Sequence, residues 1–167
     1  MKLDLSRETD AIFSSGAKLY RYSLWRCWKQ TPKSTCLFIG LNPSTADKTT
    51  NDPTIRRCIN FAKAWGYDSV EVVNLFAYRA TKPTDLFKAT KPIGSANNQH
   101  LLNACHRASI IIAMWGNHGA FQKRDKDVLR TLSNKFKLHC LGTNKQGSPK
   151  HPLYLPNETV PQTYQPE

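Results

Sequence analysis

The chain has 167 residues, with 24 Lys and Arg against 12 Asp and Glu, so its formal net charge is +12 at pH 7. This length favours a single domain, and 40% hydrophobic residues can form a core without a disulfide or metal. The absence of an 18-residue apolar run argues against a membrane span. The positive charge attracts polyanions, which makes nucleic acid the first partner to consider, with a generic basic solvated surface as the alternative.

The cysteines are odd in number and form no C-x-x-C pair: Cys27, Cys36, Cys58, Cys105 and Cys140. This pattern predicts free thiols in a reducing cytoplasm and argues against a zinc ribbon or an iron–sulfur cluster. We therefore expect no metal and no cofactor. Residues 1–10 lack the apolar core of a signal peptide, which agrees with a cytoplasmic location.

Hydrophobic periodicity, taken in chain order, predicts strands that alternate with helices. The strands are expected at 18–28, 35–42, 69–78, 109–116 and 137–142, and the helices at 51–67, 95–108 and 126–136. This alternation predicts an α/β fold, a three-layer α/β/α sandwich with a mostly parallel central sheet, in one domain over 1–167. The Pro-rich polar end, about 156–167, reads as a loosely ordered tail.

Polar side chains follow several of the predicted strands. Asn42, Asn74 and Trp115 come at strand ends, and His151 lies in a later loop, so they converge on one rim of the sheet. No phosphate loop or dinucleotide fingerprint is present. Asn offers a donor and an acceptor to the edge of a base, and a neutral imidazole donates to a developing anion. This set fits cleavage of an N-glycosidic bond, whose transition state needs electrostatic stabilisation more than a strong base.

Four short motifs carry a resemblance to a known superfamily. The segments "GLNPS" (40–44), "NLFAYRA" (74–80), "MWG" (114–116) and "HPLYL" (151–155) resemble, in this order, the motifs of the uracil-DNA glycosylase superfamily. The chain as a whole also resembles the domain of unknown function 1643 family, through its Asn-Pro-Ser-Thr-Ala-Asp signature. The first resemblance implies a glycosylase-like fold and a DNA glycosylase that acts on double-stranded DNA. Because no Lys lies within the four motifs, we expect a monofunctional enzyme without Schiff-base chemistry, and we infer no obligate protein partner.

The resemblance also implies catalytic roles. Asn42 would position the attacking water, and His151 would stabilise the departing base anion. Many members of the superfamily have Asp at this position. The amide of Asn42 cannot act as a base, so a different group is needed if a base takes part. Asp47 and Asp52 follow the motif closely, and either is the base or merely a helix N-cap.

The resemblance further implies a base pocket. Asn74 would hydrogen-bond the edge of the flipped base, with Gly40, Ser44 and Phe76 around it. Uracil-specific relatives carry Tyr where this chain has Ser44, so the small side chain removes a wall against substituents at pyrimidine C5. We expect a C5-modified pyrimidine, such as hydroxymethylated or glucosylated cytosine of phage DNA, which suits a bacterial defence enzyme.

The expected DNA contacts lie on the loop that contains residues 151–155, referred to below as the late loop, and on basic residues near the rim. Tyr154 or Leu155 would fill the gap that the extruded base leaves. The basic residues expected near phosphates are Lys150, Arg56, Arg57 and Arg79.

Simpler interpretations stay open for each of these residues. Asn42 is also typical of a turn, Asn74 of a strand end, and His151 of a surface loop. Phe61, Trp65 and Trp115 are typical of core positions, and the remaining histidines read as structural. The functional alternatives are a hydrolase or transferase of free nucleosides or nucleotides, and a non-catalytic nucleic-acid-binding module.

Overall fold

The computed structural model describes residues 9–166. Residues 1–8 and Glu167 lie outside this range. They include most of the N-terminal segment, for which no signal peptide was expected, and the last residue of the expected tail. Within residues 9–166, the fold is mixed α/β and contains one seven-stranded sheet, four α-helices and a short 3-10 segment.

The elements follow one another closely along the chain. The strands are β1 Thr9–Phe13, β2 Arg21–Cys27, β3 Thr35–Gly40, β4 Ser69–Asn74, β5 Ile110–Ala113, β6 Leu138–Cys140 and β7 Gln162–Thr163. The helices are α1 Pro53–Ala64, α2 Pro83–Lys88, α3 Asn97–Arg107 and α4 Arg124–Leu132, and the 3-10 segment is Asn117–Lys123.

The sheet has the strand order β1-β2-β4-β3-β5-β6-β7. The four inner strands β4, β3, β5 and β6 are parallel, as expected for strands connected through helices. The pairings of β1 with β2, β2 with β4, and β6 with β7 are antiparallel. The expectation of a mostly parallel sheet is therefore wrong, because strands at both sides join the parallel centre in the opposite direction.

The inner strands contribute alternate residues to two apolar clusters, one on each face of the sheet. In β3, Leu37 and Ile39 belong to a cluster that also includes buried residues of α2, α3 and α4. Cys36 and Phe38 belong to the other cluster, with buried residues of α1. Because successive strand side chains point to opposite faces, this division means that β3 is buried on both sides.

Helix α1 shows how local signals define an element. Asp52 caps its first turn, with the Oδ1 atom accepting a hydrogen bond from the backbone N–H of Ile55 at 2.9 Å, and Pro53 follows in the first turn. Gly66 then adopts a φ of +85°, which suits glycine just beyond a helix. These signals correctly predicted the helix, whereas β1, α2 and β7 were not predicted.

The C-terminal segment differs from the loosely ordered tail expected from its composition. Gln162 and Thr163 form β7 and pair with β6, and the backbone N–H of Tyr164 donates to the carbonyl oxygen of Leu138 at 2.9 Å. The Tyr164 side chain is buried in the core and packs edge-on against Trp115. Pairing with an open sheet edge orders a segment that has no strand signal of its own.

A buried ion pair links the sheet to α3 and leads to the first prediction. Glu71 of β4 has no exposed surface, and its carboxylate accepts hydrogen bonds from Ser23 at 2.7 Å and from Arg107 at 2.5 Å. Replacing Arg107 with Met leaves a buried carboxylate without its cation, so we expect urea unfolding to show a loss of about 3 kcal/mol.

Two variants control this measurement. Arg130→Met removes only an exposed pair with Asp127, at 3.4 Å, and should change stability by less than about 0.5 kcal/mol. Adding Glu71→Gln to Arg107→Met removes the unpaired charge and should restore most of the loss. A small effect of Arg107→Met alone contradicts the assignment.

Candidate functional site

A pocket of about 410 Å³ lies at the carboxyl edge of the parallel strands. The turn after β3, the end of β4, the segment after β5, the start of α1 and the loop near His151 all contribute to its lining. Asn42, Asn74 and His151, which lie far apart in the chain, therefore line one cavity. Its volume is within the range typical of small-molecule sites.

The floor of the pocket depends on a close approach between two strand ends. Gly40 is the register partner of Asn74 in the parallel β3–β4 pair. A Cβ atom on Gly40 would lie 2.8 Å from Asn74 Oδ1 and 3.2 Å from Met114 Cε. Glycine is needed here because the Asn74 amide occupies the space that any side chain would fill.

The backbone that carries Asn74 is held by two buried side chains from the helices. Asn97 Nδ2 donates to the carbonyl oxygens of Asn74 and Leu75, at 2.9 and 3.0 Å. Arg124 Nε donates to the same Leu75 oxygen at 2.8 Å. The Asn74 side chain has no such partner, since its buried Nδ2 makes no hydrogen bond within residues 9–166. A buried donor of this kind costs about 1–3 kcal/mol and calls for a functional explanation.

Asn42 is half-buried and oriented by the backbone. Its Nδ2 donates to the carbonyl oxygen of Ala80 at 2.8 Å and to that of Pro43 at 3.1 Å. Both amide hydrogens are thus used, which leaves the Oδ1 atom as the group that accepts a hydrogen bond from a ligand or water.

His151 lines the pocket and is exposed at its outer rim. Its Nδ1 atom accepts a hydrogen bond from the backbone N–H of Leu153 at 3.2 Å, so in the neutral ring the proton belongs on Nε2. Lost hydration lowers the pKa of His151, and the negative charge of Asp52 opposes this effect only in part. The imidazole is therefore a neutral N–H donor near pH 7.

The two carboxylates considered as a base lie in different places. Asp47 does not line the pocket; its Oδ1 accepts hydrogen bonds from the backbone N–H groups of Thr49 and Thr50, which lower its pKa and make it a poor base. Asp52 does line the pocket, although its Oδ1 also caps α1. The carboxylate next to the candidate site is therefore Asp52.

The sequence reasoning missed two titratable side chains that line the pocket. Arg21 is only 2% exposed, yet it lines the pocket from the first position of β2. Because β2 runs antiparallel to β4, its beginning lies at the same sheet edge as the ends of the parallel strands. His118, which was interpreted as structural, lines the pocket from the 3-10 segment. If the sequence had shown that β2 runs antiparallel to β4, Arg21 would have been expected at the same sheet edge as Asn74.

Ser44 lines both the pocket and a neighbouring open groove. This groove, of about 650 Å³, is also lined by Tyr78, Arg79, Asp85 and Lys88. Ala80 and Thr81 are likewise shared, so the groove continues from the pocket past the small Ser44 side chain.

Arg57 fastens the late loop to α1 instead of pointing freely to solvent. Its Nε donates to the carbonyl oxygen of Pro152 at 3.3 Å, and its two terminal nitrogens donate to the Leu155 carbonyl oxygen and to Asn157 Oδ1. The guanidinium also lies over the ring of Phe61, 4.4 Å from its centroid. These contacts use the donors that a phosphate would need.

The tip of this loop separates the two residues expected as a wedge. Tyr154 is 99% exposed and has a φ of +70°, a backbone conformation that is unusual for a residue other than glycine. Leu155 is half-buried and packs against the apolar cluster of α1. The exposed side chain at the tip is therefore that of Tyr154.

The remaining expected residues lie outside the pocket. Phe76 is fully buried in the cluster of α3 and α4 and contacts the Phe121 ring, so it does not face a base. Arg56 is exposed on α1, and Lys150 is half-buried beside the pocket's late loop. Arg79 lines the groove and donates to the Ser44 carbonyl oxygen at 3.4 Å.

Residues 9–166 contain no group of three or more His, Cys, Asp or Glu side chains that could hold a metal ion, and no helix long and apolar enough to cross a membrane. All five cysteines are free thiols.

A family model described as "Protein of unknown function (DUF1643)" matches residues 21–153. The chain belongs to the DUF1643 family. The resemblance to this family seen in the sequence is thereby confirmed, and the matched range includes every pocket residue from Arg21 to Leu153. No curated protein and no solved structure matches the chain.

The negative charge of Asp52 should have a measurable effect on the pKa of His151 in this DUF1643 protein. Asp52→Asn keeps a capping oxygen for α1 but removes the negative charge that raises the pKa of His151. We expect an NMR titration to give a wild-type pKa below 6.5 and a still lower pKa in the variant. A higher pKa in Asp52→Asn contradicts the arrangement.

The hydrogen bonds by which Arg57 holds the late loop, referred to as the Arg57 clamp, predict that loss of this side chain makes the loop more mobile. Arg57→Ala removes three hydrogen bonds to the late loop, each with a net contribution of about 1 kcal/mol. Hydrogen exchange in residues 152–158 should therefore rise about tenfold or more. The neighbouring Arg56→Ala is the matched control, since the one hydrogen bond of the Arg56 side chain within the described residues goes to the Asn51 carbonyl oxygen. Equal exchange in the two variants argues against this role of Arg57.

Proposed function

We propose that this protein is a monofunctional DNA glycosylase that hydrolyses the N-glycosidic bond of a flipped, C5-modified pyrimidine and leaves an abasic site. The observation that carries the proposal is the convergence of Asn42, Asn74 and His151 on one pocket, with the buried Asn74 Nδ2 lacking a protein partner. A pocket with an amide at its floor and an N–H donor at its rim suits a flat, polar ring that leaves as an anion.

Asn74 is proposed to read the edge of the base. Its Nδ2 is a donor without an acceptor, and a pyrimidine carbonyl oxygen supplies that acceptor. Burial of this donor without a protein acceptor is costly, and a ligand that places an oxygen beside Asn74 Nδ2 offsets that cost. This supports selection of a base over an apolar ligand of the same size.

Asn42 is proposed to hold the attacking water through Oδ1, since Nδ2 is committed to the Ala80 and Pro43 carbonyl oxygens. Asp52, and not Asp47, is the carboxylate suited to accept the proton of that water. Asp47 is used by the turn that follows the motif. Neutral His151 donates through Nε2 to the oxygen on which charge develops as the base leaves.

The groove beside Ser44 supports a base with a substituent at C5. A hydroxymethyl group or a sugar attached to it has space past Ser44 towards Tyr78, Arg79 and Asp85. We propose hydroxymethylated or glucosylated cytosine of phage DNA as the substrate and anti-phage defence in the cytoplasm as the setting. An enzyme that excises such a base damages foreign DNA and spares unmodified DNA.

Duplex DNA is the proposed form of the substrate. The net charge of +12 attracts the DNA backbone, and the fully exposed Tyr154 at the tip of the late loop supplies a wedge for the vacated stack. A hydrolase of free nucleosides needs neither feature. We further propose the three-layer sandwich of uracil-DNA glycosylases as the fold, which is supported by the assignment of α1 to one apolar cluster and of α3 and α4 to the other.

The test is mass spectrometry of bases released from duplexes that contain uracil, a thymine mismatch, hydroxymethylcytosine or glucosylated hydroxymethylcytosine. We expect release of a C5-modified base from duplex DNA and no release from the free nucleoside. Release of uracil alone refutes the open pocket. Release from free nucleosides only, or from no substrate, refutes the DNA glycosylase.

Variants separate catalysis from binding. Asn42→Ala and His151→Ala should each slow single-turnover cleavage by about 10²–10³-fold while duplex binding stays within about twofold. Asn60→Ala, at an exposed position of α1, is the control and should cleave at the wild-type rate. A non-catalytic binding module is the better description if neither site variant changes the chemistry.

A further inference from the structure

Arg21 is a buried cation with few partners in the protein. It is 2% exposed and lines the pocket. Its Nη1 donates to the Ala46 carbonyl oxygen at 3.1 Å, which is the one hydrogen bond of this side chain within residues 9–166, and its buried Nε has none. A buried charge is normally paired and fully hydrogen-bonded, since loss of hydration is costly.

A second arginine on the same strand shows what a structural role looks like. Arg26 is also buried, at 4% exposed, but all three of its nitrogens donate hydrogen bonds. The acceptors are Asn51 Oδ1 and the carbonyl oxygens of Asp10, Trp25, Asp47 and Thr50. The same strand thus carries one arginine saturated by the protein and one that is not, and only the unsaturated arginine lines the pocket.

No carboxylate of the described chain forms an ion pair with Arg21. Asp52 acts on it only from a greater distance, and Arg26 and Arg79 add positive charge. Burial lowers the pKa of Arg21 to about 10, which still leaves the guanidinium protonated near neutral pH. The pocket therefore holds a positive charge that makes no direct ion pair with a carboxylate of the described chain, although Asp52 lines the same pocket.

We propose that Arg21 is a catalytic residue that stabilises the negative charge on the departing base. This inference rests on the proposed glycosylase function and deepens it. The C1′–N1 bond breaks with both electrons moving to the base nitrogen, so the base leaves as an anion. Water oxygen bonds to C1′, and one water proton finally neutralises the base, so that one water is consumed.

Arg21 complements His151 in this step. The neutral imidazole supplies a directed N–H donor at the rim, whereas Arg21 supplies a full positive charge at a site shielded from water. A fixed charge in such an environment acts more strongly than at the surface, and it favours the transition state because the substrate base is still neutral.

The first experiment compares leaving groups. Duplexes carry a series of 5-substituted deoxyuridines, from 5-fluoro to 5-methyl, whose bases differ in acidity. If Arg21 stabilises the anion, Arg21→Met slows single-turnover cleavage by about 10²–10³-fold for the least acidic base and much less for the most acidic. Arg21→Lys, which keeps the charge, should recover part of the loss.

Arg26→Met is the matched control. It removes a similarly buried guanidinium from the same strand and its hydrogen bonds, which lowers stability, but the dependence of rate on base acidity should equal that of the wild type. A loss in Arg21→Met that is uniform across the series overturns the proposal, because a merely structural arginine affects every substrate alike.

The second experiment does not depend on turnover. Calorimetry of free 5-fluorouracil binding to the wild-type protein, at pH values on both sides of the ionisation of this base, measures the preference for the anion directly. We expect tighter binding of the anion, and loss of that preference in Arg21→Met. Equal or weaker binding of the anion, no binding of either form, or tighter binding of inorganic phosphate overturns the role of Arg21. Failure to cleave any DNA would refute the glycosylase, whereas this measurement tests the anion site by itself.

Discussion

The in-register parallel pairing of β3 with β4 is the constraint on which the candidate site depends. It places Gly40 directly beside Asn74, and the missing side chain of Gly40 leaves the space that the Asn74 amide occupies. Met114, which follows β5, closes the same space from the other side of β3. The floor of the pocket is therefore a product of strand register, and a shift by one residue would remove it.

The polar groups at this sheet edge differ in whether the protein supplies their hydrogen-bond partners. Asn97 Nδ2 and Arg124 Nε hold the backbone by donating to carbonyl oxygens at the end of β4, although the buried Oδ1 of Asn97 has no partner within residues 9–166. In the pocket lining, Asn42 Nδ2 is satisfied by backbone oxygens, whereas the buried Asn74 Nδ2 and Arg21 Nε lack partners in the described chain. An unpartnered buried donor lowers stability, and such a cost is common at functional sites.

Sequence reasoning reached Asn42, Asn74 and His151 because each belongs to a short motif next to an easily recognised element. Phe76 was expected beside the base from the resemblance alone. The strand ends at Asn74, and Leu75 and Phe76 both enter the opposite cluster. Sequence reasoning missed Arg21 because nothing local reveals that β2 runs antiparallel to its neighbour.

The sequence by itself determined the α/β class, helix α1 with its cap at Asp52, and the residues that follow the central strands, since these depend on signals within a few positions of each other. Only the tertiary structure decided the direction of the outer strands, the pairing of β7, the clamp by Arg57 and the entry of Arg21 into the pocket. Those features arise from contacts between segments far apart in the chain. Local propensity carries no information about them, because the free energy that selects them comes from pairing and burial in the assembled fold.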